Sequence, residues 1–384
     1  MKKGLVLAFG ELFLKSPNVQ KIFKKKLIEN LKNFLKREHF NFRLYFSRER
    51  IFVETEQLKK AERIVAKVFG IAWFAPGFFF EKEGFKKIFD FILKNYAFWI
   101  KEKETFALRL KRGEEIKEER TMIIDEIAKN IKRKVDLEKP NKEIFIEARK
   151  EGWYLYFKKK RGAGGLPVSS GGKVLTLISG GIDSPVASYL MAKRGAENIW
   201  LHFHSFPLVS NKSIEKVKKM ANNFLQYQPE LKVYFFPFGK IQMAIKAKVF
   251  PQKRILLYRR IMFKIGQEIA QKENCYALVT GESLGQVSSQ TLPNLQIIEK
   301  AVFLPVLRPL ISLDKEEIIK LAKKIGTYKI SIQKQEDCCT LFVPKHATAQ
   351  GNLKEIENIE KRLDLKKLIT LAKKETEILK IKNF

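Results

Sequence analysis

Short apolar runs alternate with amphipathic stretches along the second half of the chain. The runs are rich in β-branched and aromatic residues, as is typical of buried strands, and they lie at 173–178, 198–204, 231–237 and 276–280. The stretches between and after them have apolar residues at helical spacing and lie at 184–194, 213–226, 240–271, 315–325 and, as a basic tail, 353–380. This alternation predicts an α/β domain with a doubly wound parallel sheet over residues 166–384.

The first half of the chain also alternates between strand-like and helical stretches, and it predicts two smaller α/β units. In the first, strands are predicted at 4–9, 42–46 and 50–53 and helices at 19–37 and 58–69, an arrangement that favours a ferredoxin-like domain over residues 1–79. In the second, over residues 80–165, helices are predicted at 85–104 and 121–133 and strands at 105–111, 144–149 and 153–157. A glycine-rich stretch at 162–172 marks the change to the large domain.

The chemistry of the large domain is concentrated where its first predicted strand ends. The strand runs into Ser179, Gly180 and Gly181, and a helical pattern follows from Asp183. Ser184 is predicted to cap this helix, with proline at the first helical position after it. Unpaired backbone N–H groups and the positive end of the helix dipole would then surround one small concavity. The turn therefore predicts a phosphate site.

Composition narrows the class of partner. The chain of 384 residues is 45% apolar, 12% aromatic and 30% charged, which is typical of a globular protein. Its 75 Lys and Arg against 42 Asp and Glu give a net charge of +33, which favours a polyanion, and nucleic acid ahead of a membrane surface. A lysine-rich codon bias is the alternative explanation. No apolar run is long enough to cross a membrane, no secretory signal is evident and the cysteines number only 3, so we expect a cytoplasmic protein with no membrane partner.

Several strings resemble one known family. SGGIDSPVA at 179–187 resembles the pyrophosphate loop of the PP-loop ATP pyrophosphatases. Five further strings are similar to the tRNA uracil 4-sulfurtransferases, the ThiI family: HFHSFP at 202–207, LYRRIMFKI at 257–265, TGESLGQVSSQTLPNL at 280–295, RPLISLDKEEI at 308–318 and IGTYKISIQKQEDCC at 325–339. FGELFLKS at 9–16 and VFGIAWFAPG at 68–77 resemble the ferredoxin-like domain of tRNA sulfurtransferases, and residues 80–165 resemble an RNA-binding THUMP domain.

The resemblance implies ATP and Mg²⁺ as cofactors and a set of ATP contacts. Those contacts fall on Leu177, Ile178, Ser179, Gly180, Gly181, Asp183, Ser184, His202, Phe203, Arg259, Gly281 and Gln290. Asp183 is implied in handling magnesium pyrophosphate, and no metal site made of protein ligands alone is expected. Lys315 is implied as a catalytic lysine, because a cation there would stabilise developing phosphate charge.

The cysteines are implied to carry the sulfur. In the resembling family the second cysteine of the adjacent pair, here Cys339, carries a catalytic persulfide, and either Cys338 or Cys275 is the candidate redox partner. Cys275 reads as a buried core thiol, and Lys272 stands where an iron–sulfur Cys-x-x-Cys pair would need its partner, so we do not expect a cluster. The implied reaction adenylates O4 of uridine 8 in tRNA and replaces that oxygen with sulfur, giving 4-thiouridine.

The implied partners are tRNA and a cysteine desulfurase or another sulfur donor. Basic residues on predicted strand edges are candidate RNA contacts: Arg109, Lys111, Arg112 and Lys158. Such residues also protect strand edges from pairing, so either role stays open. We expect the form of the family without a carboxyl-terminal rhodanese domain. The immediate sulfur donor, any part in thiamine biosynthesis and the oligomeric state, a homodimer included, stay open.

Two other functions are compatible with these residues. A PP-loop enzyme of another kind would use the same adenylation of tRNA but an amine as the nucleophile, and Cys339 would then be dispensable. A non-catalytic RNA-binding protein with a decayed ATP site would release no pyrophosphate. The intact SGGIDSP string argues against decay.

Overall fold

The computed structural model describes residues 1–11, 16–47, 49–81, 84–113, 116, 119–333 and 348–382. The chain forms two compact units, Met1–Leu166 and Pro167–Phe384. Each unit has its own sheet and its own hydrophobic core. Within the described ranges no helix is long and apolar enough to cross a membrane.

The first unit is built on one mixed sheet. Its strands are β1 (Lys2–Phe9), β2 (Arg43–Phe46), β3 (Arg50–Glu54), β4 (Ile71–Glu81), β5 (Phe106–Arg112), β6 (Lys142–Arg149), β7 (Gly152–Tyr156) and β8 (Lys160–Arg161). Its helices are α1 (Pro17–Lys36), α2 (Leu58–Val65), α3 (Phe85–Trp99) and α4 (Arg120–Asn130). The strand order is β2-β3-β1-β4-β7-β6-β5, and β8 pairs with β4. The helices and strands predicted from the sequence are present, although α2 and α3 end several residues early.

Strand β4 joins the two halves of this sheet. It pairs with β1 on one side and with β7 on the other. The sequence did not predict this strand, because Pro76 and Gly77 interrupt the apolar run. Gly77 is required by close packing, since a Cβ there would lie 2.4 Å from the carbonyl oxygen of Leu155. The sheet therefore continues past residue 79, where the sequence predicts a domain boundary.

The described helices of the first unit cover one face of this sheet. Phe74 and Phe80 lie on the same face of β4, because residues an even number apart point the same way along a strand. Phe74 packs in the core with α1 and α2, and Phe80 packs in the core with α3 and α4. On the other face Arg50 of β3 binds Glu147 of β6 at 2.8 Å, and both side chains are buried. This ion pair joins the two halves a second time.

The second unit is the predicted doubly wound domain. Its strands are β9 (Lys173–Leu177), β10 (Glu197–His204), β11 (Glu230–Pro237), β12 (Ala277–Val279), β13 (Val306–Leu307) and β14 (Glu377–Lys382). Its helices are α5 (Asp183–Lys193), α6 (Lys212–Phe224), α7 (Gly239–Lys248), α8 (Pro251–Lys272), α9 (Leu292–Glu299), α10 (Lys315–Ile325), α11 (Tyr328–Ser331), α12 (Leu353–Arg362) and α13 (Lys366–Lys374). A 3₁₀ turn covers Ser288–Gln290.

The strand order of the second sheet places a crevice beside β9. The order is β13-β12-β9-β10-β11-β14, and the strands are parallel except for β14. From β9 the chain continues to β10 on one side and returns at β12 on the other. Ligands of doubly wound sheets bind at such a reversal, outside the carboxyl ends of the strands.

The stretch 240–271, predicted to be mostly helical, forms two helices, because α7 ends at Lys248 and Pro251 starts a new helix at its first position. One prediction for this unit is wrong: the tail predicted to be helical up to Lys380 ends instead in β14, which pairs antiparallel with β11. Residues 378–382 alternate between exposed and half-buried positions, as expected of an edge strand protected by lysines.

Candidate active site

The predicted phosphate turn lies between β9 and α5, with its two serines bonded to each other. Ser184 is not the helix cap that the sequence predicts. Helix α5 begins at Asp183, and Ser184 Oγ instead accepts a hydrogen bond from the Ser179 N–H at 2.8 Å. The Gly181 N–H donates to Ser179 Oγ at 3.2 Å. Among the described residues no side chain caps α5, which leaves the N–H groups of its first turn for an anion.

Gly281, at the end of β12, packs directly on the start of α5. A Cβ at this position would lie 2.6 Å from the Ser184 backbone nitrogen and 2.8 Å from the carbonyl carbon of Asp183. Both contacts are to backbone, so no rotamer change would relieve them. A glycine is therefore required where β12 meets the turn.

Asp183 lies at the rim of the turn and is engaged through both carboxylate oxygens. Lys315, the first residue of α10, donates to Oδ1 at 2.6 Å, and Gln286 donates to Oδ2 at 2.9 Å. The side chain of Lys315 is 45% exposed, and an exposed ion pair of this kind contributes less than about 1 kcal/mol. A magnesium-bound phosphate could therefore exchange with these contacts at little cost.

A cavity of about 410 Å³ opens beside the turn at the carboxyl ends of β9, β10 and β12. Its volume lies within the usual range of about 300–1,000 Å³ for small-molecule sites. Apolar side chains from α8 form part of its wall, and the segment from Val287 to Gln290 closes another side. The cavity therefore combines an apolar wall, suited to a nucleobase, with a turn suited to phosphate.

His202 forms an uncharged part of the wall. Its Nδ1 lies 3.0 Å from the carbonyl oxygen of Ile178 and its Nε2 lies 3.3 Å from Ser213 Oγ. Because a carbonyl oxygen only accepts, Nδ1 carries the proton and Nε2 accepts from the serine. Burial lowers the pKa of His202 to about 4, so the ring is neutral near pH 7.

A buried carboxylate holds the arginine of the site. Glu282 follows β12 with a side chain only 2% exposed, and it binds the guanidinium of Arg259 from α8. Its other oxygen accepts from Arg308 Nε at 2.7 Å and from Thr280 Oγ1 at 2.8 Å. Arg259 also donates to Ser289 Oγ at 3.3 Å. Arg259 is therefore fixed at the cavity wall from two sides.

The structure brings the predicted ATP contacts together. Ten of the twelve line the cavity: Leu177, Ile178, Ser179, Asp183, Ser184, His202, Phe203, Arg259, Gly281 and Gln290. The remaining two, Gly180 and Gly181, lie in the turn itself. As contacts to a bound nucleotide all twelve stay predictions.

The cysteines are placed only in part. Cys338 and Cys339 lie outside the described residues. Cys275 is buried in the hydrophobic core of the second unit, as the sequence predicts, and desolvation raises the pKa of its thiol to about 12. A thiol with such a high pKa is a poor nucleophile near neutral pH. Cys275 is therefore unsuited to resolving a persulfide.

The described ranges contain no group of three or more His, Cys, Asp or Glu side chains that could hold a metal ion. Asp183 and Glu282 both line the cavity. Glu282 is occupied by two guanidinium groups, whereas Asp183 is partly exposed at the turn. Asp183 is thus the carboxylate that fits a magnesium ion carried in on nucleotide phosphates.

The four basic residues predicted to contact RNA lie on or near strand edges of the first unit. Arg109 Nε donates to Glu143 at 2.9 Å, and Arg112 Nη1 donates to the carbonyl oxygen of Ile116 at 2.6 Å. Lys111 is 61% exposed and Lys158 is also exposed. RNA contacts at all four positions stay predictions.

Three polar residues of the site were missed from the sequence: Glu282, Gln286 and Arg308. Glu282 and Gln286 lie within the string at 280–295 that carries the family resemblance, and Arg308 begins another at 308–318. A charged residue directly after a buried strand was the available signal for Glu282. Its two arginine partners are separated from it by more than twenty residues in either direction, so no local pattern could identify them.

Family models match nearly the whole chain. The model described as thiamine biosynthesis protein (ThiI) matches residues 169–365, the ThiI ferredoxin-like domain matches 5–75, and the THUMP domain matches 85–158. Among curated proteins, the chain is 39% identical to a probable tRNA sulfurtransferase of Moorella thermoacetica, with 99% of this chain and 98% of that protein covered. It is 38% identical to a probable tRNA sulfurtransferase of Caldanaerobacter subterraneus subsp. tengcongensis, with 96% and 97% covered.

Solved structures agree in fold. The crystal structure of a 4-thiouridine synthetase–RNA complex with bound ATP matches with a TM-score of 0.89 and 30% identity over 100% of both chains. The crystal structure of PH1313 from Pyrococcus horikoshii Ot3 matches with a TM-score of 0.64 and 24% identity, covering 84% of this chain and 99% of that one.

Proposed function

Because the chain belongs to the ThiI family, we propose that it is an ATP-dependent tRNA sulfurtransferase that makes 4-thiouridine at position 8 of tRNA. The observation that carries the proposal is the junction of the turn at Ser179–Gly181 with the 410 Å³ cavity, where Asp183 and Lys315 meet. The ATP-bound 4-thiouridine synthetase of the same fold supports ATP as the substrate for this junction. We also propose three domains, at 1–79, 80–165 and 166–384.

In the proposed first step O4 of the uracil attacks the α-phosphorus of ATP. The bond between that phosphorus and the bridging oxygen breaks, pyrophosphate leaves, and the N3 proton of the base passes to solvent. The N–H groups at the start of α5 and the Lys315 ammonium stabilise the charge that develops on the phosphates. Asp183 would hold Mg²⁺, which neutralises charge on the departing pyrophosphate.

In the proposed second step the terminal sulfur of a Cys339 persulfide attacks C4. The C4–O bond breaks and AMP leaves with the former uracil oxygen. The Cys338 thiol then loses its proton and attacks the Cys339 sulfur, which breaks the bond between that sulfur and the transferred one. A disulfide forms, N3 regains a proton, and the transferred sulfur remains on C4 as the thione. The disulfide must be reduced by an external dithiol before a sulfur donor of the cysteine desulfurase type reloads Cys339.

The proposed partners follow from charge and family. A net charge of +33 suits a polyanion, and the THUMP match at residues 85–158 supports tRNA. Arg109, Lys111, Arg112 and Lys158 are the proposed RNA contacts. A homodimer and a location in the cytoplasm are further proposals.

The proposal is tested by measuring 4-thiouridine and pyrophosphate after incubation of the full chain with tRNA, ATP, Mg²⁺ and a sulfur source. Asp183→Ala should lose both products, because it removes the magnesium ligand before the first step. Cys339→Ser should release pyrophosphate in a single turnover but form no 4-thiouridine. Asp364→Ala, an exposed aspartate of the same unit, is the matched control.

Three results would overturn the proposal in different ways. Full tRNA modification by Cys339→Ser would favour the amine-using enzyme. Absence of any tRNA-dependent pyrophosphate release from the wild type would favour a non-catalytic RNA-binding protein. Unchanged activity of Asp183→Ala would place the nucleotide elsewhere.

A further inference from the structure

The sequence that carries Cys338 and Cys339 begins and ends at residues that buried polar side chains hold beside the cavity. Gln333 precedes it and Thr348 follows it. Each end is bonded to a side chain that is almost inaccessible to solvent. The two side chains, Lys216 and Asn294, are called the anchors below, and neither has a role in the proposed adenylation or sulfur transfer.

The first anchor is Lys216 on α6. Lys216 is only 4% exposed. Its ammonium donates to the carbonyl oxygens of Ser331 at 3.0 Å and Gln333 at 2.6 Å. An ammonium group is costly to bury, so its hydrogen bonds to these carbonyls are strongly retained. Ser331 Oγ in turn donates to the carbonyl oxygen of Gly181 at 3.2 Å. The chain that leads to the cysteines is therefore bonded to the phosphate turn itself.

The second anchor is Asn294 on α9, which is fully buried. Its amide nitrogen donates to the carbonyl oxygens of Thr348 at 2.9 Å and Ser288 at 2.7 Å. Its amide oxygen accepts from the Gly351 N–H at 3.0 Å. Ser288 lines the cavity, so one side chain joins the cavity wall to the chain that follows the cysteines.

The packing around Gly351 brings the backbone just after Thr348 into close contact with α8 and α9. A Cβ at Gly351 would lie 2.7 Å from Leu256 Cδ1 and 2.9 Å from Ile297 Cδ1. The backbone after the cysteines thus packs directly against α8 and α9, the helices behind the cavity.

The two anchors hold described residues on both sides of Cys339 in sequence. Cys339 is the sixth residue after Gln333 and the ninth before Thr348. Before it, Ser331 is bonded to Gly181 of the phosphate turn, and after it, Thr348 is joined through Asn294 to Ser288 of the cavity wall.

We propose that Lys216 and Asn294 are positioning residues for the sulfur-transfer step, an inference that rests on the proposed function. They fix both ends of the sequence that carries Cys339 at the cavity and thereby set how often its sulfur meets the adenylated base. Neither side chain lines the cavity, so we expect adenylation to depend on them far less than sulfur transfer does.

The test separates the two half-reactions in a single turnover of the full-length protein with tRNA, ATP, Mg²⁺ and a sulfur source. Lys216→Met and Asn294→Ala should each lower the rate of 4-thiouridine formation by about 10²-fold, the loss typical of misplaced reacting groups. The tRNA-dependent burst of pyrophosphate should stay within about twofold of the wild type. Lys216→Arg keeps donors for the two carbonyls and should recover most of the thiolation.

Matched controls lie on the same two helices. Lys219→Met removes an exposed lysine of α6, and Gln296→Ala removes an exposed glutamine of α9. Both should thiolate tRNA as the wild type does. If Lys216→Met does not fold, Asn294→Ala and Gly351→Ala decide the matter from the other end of the sequence.

Two outcomes would overturn the proposal. One is a parallel loss of the pyrophosphate burst and of 4-thiouridine, since the anchors would then serve the nucleotide site or the fold alone. The other is unchanged thiolation in both anchor variants. A wild type that forms no 4-thiouridine at all would instead overturn the proposed function, so the two failures are distinguishable.

Discussion

Replacing Glu282 by glutamine removes one negative charge from between two guanidinium groups and leaves the shape of the side chain nearly unchanged. In the wild type the carboxylate binds Arg259 on one oxygen and Arg308 on the other. The amide of glutamine has one accepting oxygen and one donating nitrogen. One of the two arginines must therefore face a donor instead of an acceptor.

The expected loss follows from burial. Glu282 is 2% exposed in its side chain, against 18% for Arg259 and 11% for Arg308. Removing one partner of a buried ion pair costs about 3–5 kcal/mol. Arg308 keeps a second carboxylate, Glu299 at 2.6 Å, so we expect the lower end of that range, about 3 kcal/mol.

The assay is chemical unfolding followed in parallel with ATP binding. Glu282→Gln should lower the free energy of unfolding by about 3 kcal/mol, and it should weaken ATP binding because Arg259 is no longer held at the cavity wall. Glu299→Gln is the matched control, since it removes a carboxylate that also binds Arg308 but is 48% exposed. The control should lose less than about 1 kcal/mol.

Equal stability and equal ATP affinity of Glu282→Gln and the wild type would refute this reasoning. The buried carboxylate would then contribute no more than an exposed one. A loss of stability without any change in ATP affinity would show that Arg259 does not contribute to nucleotide binding.

Three further predictions concern the same cavity. Gly281→Ala should lower the melting temperature, because its Cβ would lie 2.6 Å from the Ser184 nitrogen, and such overpacking costs about 1–3 kcal/mol. Lys315→Met should slow pyrophosphate release about 10²-fold with little change in melting, whereas Lys320→Met on the same helix should be neutral. The wild type should lose stability as pH falls from 6.5 towards about 4, because unfolded His202 binds a proton there and folded His202 does not. His202→Gln should reduce the slope in this window by about 1.4 kcal/mol per pH unit.

Each of these has a contradicting result. A melting temperature of Gly281→Ala equal to that of the wild type would mean that β12 and α5 move apart freely. Normal pyrophosphate release by Lys315→Met would remove the lysine from the first step. An unchanged pH dependence of unfolding in His202→Gln would show that the buried ring does not resist protonation.

The architecture of the second unit follows from its sequence because buried parallel strands are continuous apolar runs. β9, β10, β11 and β12 are of this kind, and each was predicted to within a few residues. The edge strand β14 was missed because its lysine-rich alternation resembles the basic helices before it. β4 was missed because Pro76 and Gly77 usually end strands, although here Gly77 allows close contact between neighbours.

The site residues likewise fall into those that the sequence predicts and those that it does not. The turn and the strand ends that border the cavity were predicted, because a motif and the order of strands place them. Glu282, Lys216 and Asn294 were not predicted. Lys216 donates to a carbonyl 115 residues away in sequence, and Asn294 to one 54 residues away. Such contacts depend on how distant elements pack and leave no period in the sequence.

Transfer of the uracil oxygen to AMP is tested most directly with an isotope. The substrate is tRNA carrying oxygen-18 at O4 of uridine 8, and the products are 4-thiouridine and AMP, both measured by mass spectrometry. Adenylation at the turn predicts one oxygen-18 in the phosphate of AMP for each 4-thiouridine formed. Unlabelled AMP beside thiolated tRNA would contradict it, because the oxygen would then have left the base without ever having been joined to the nucleotide.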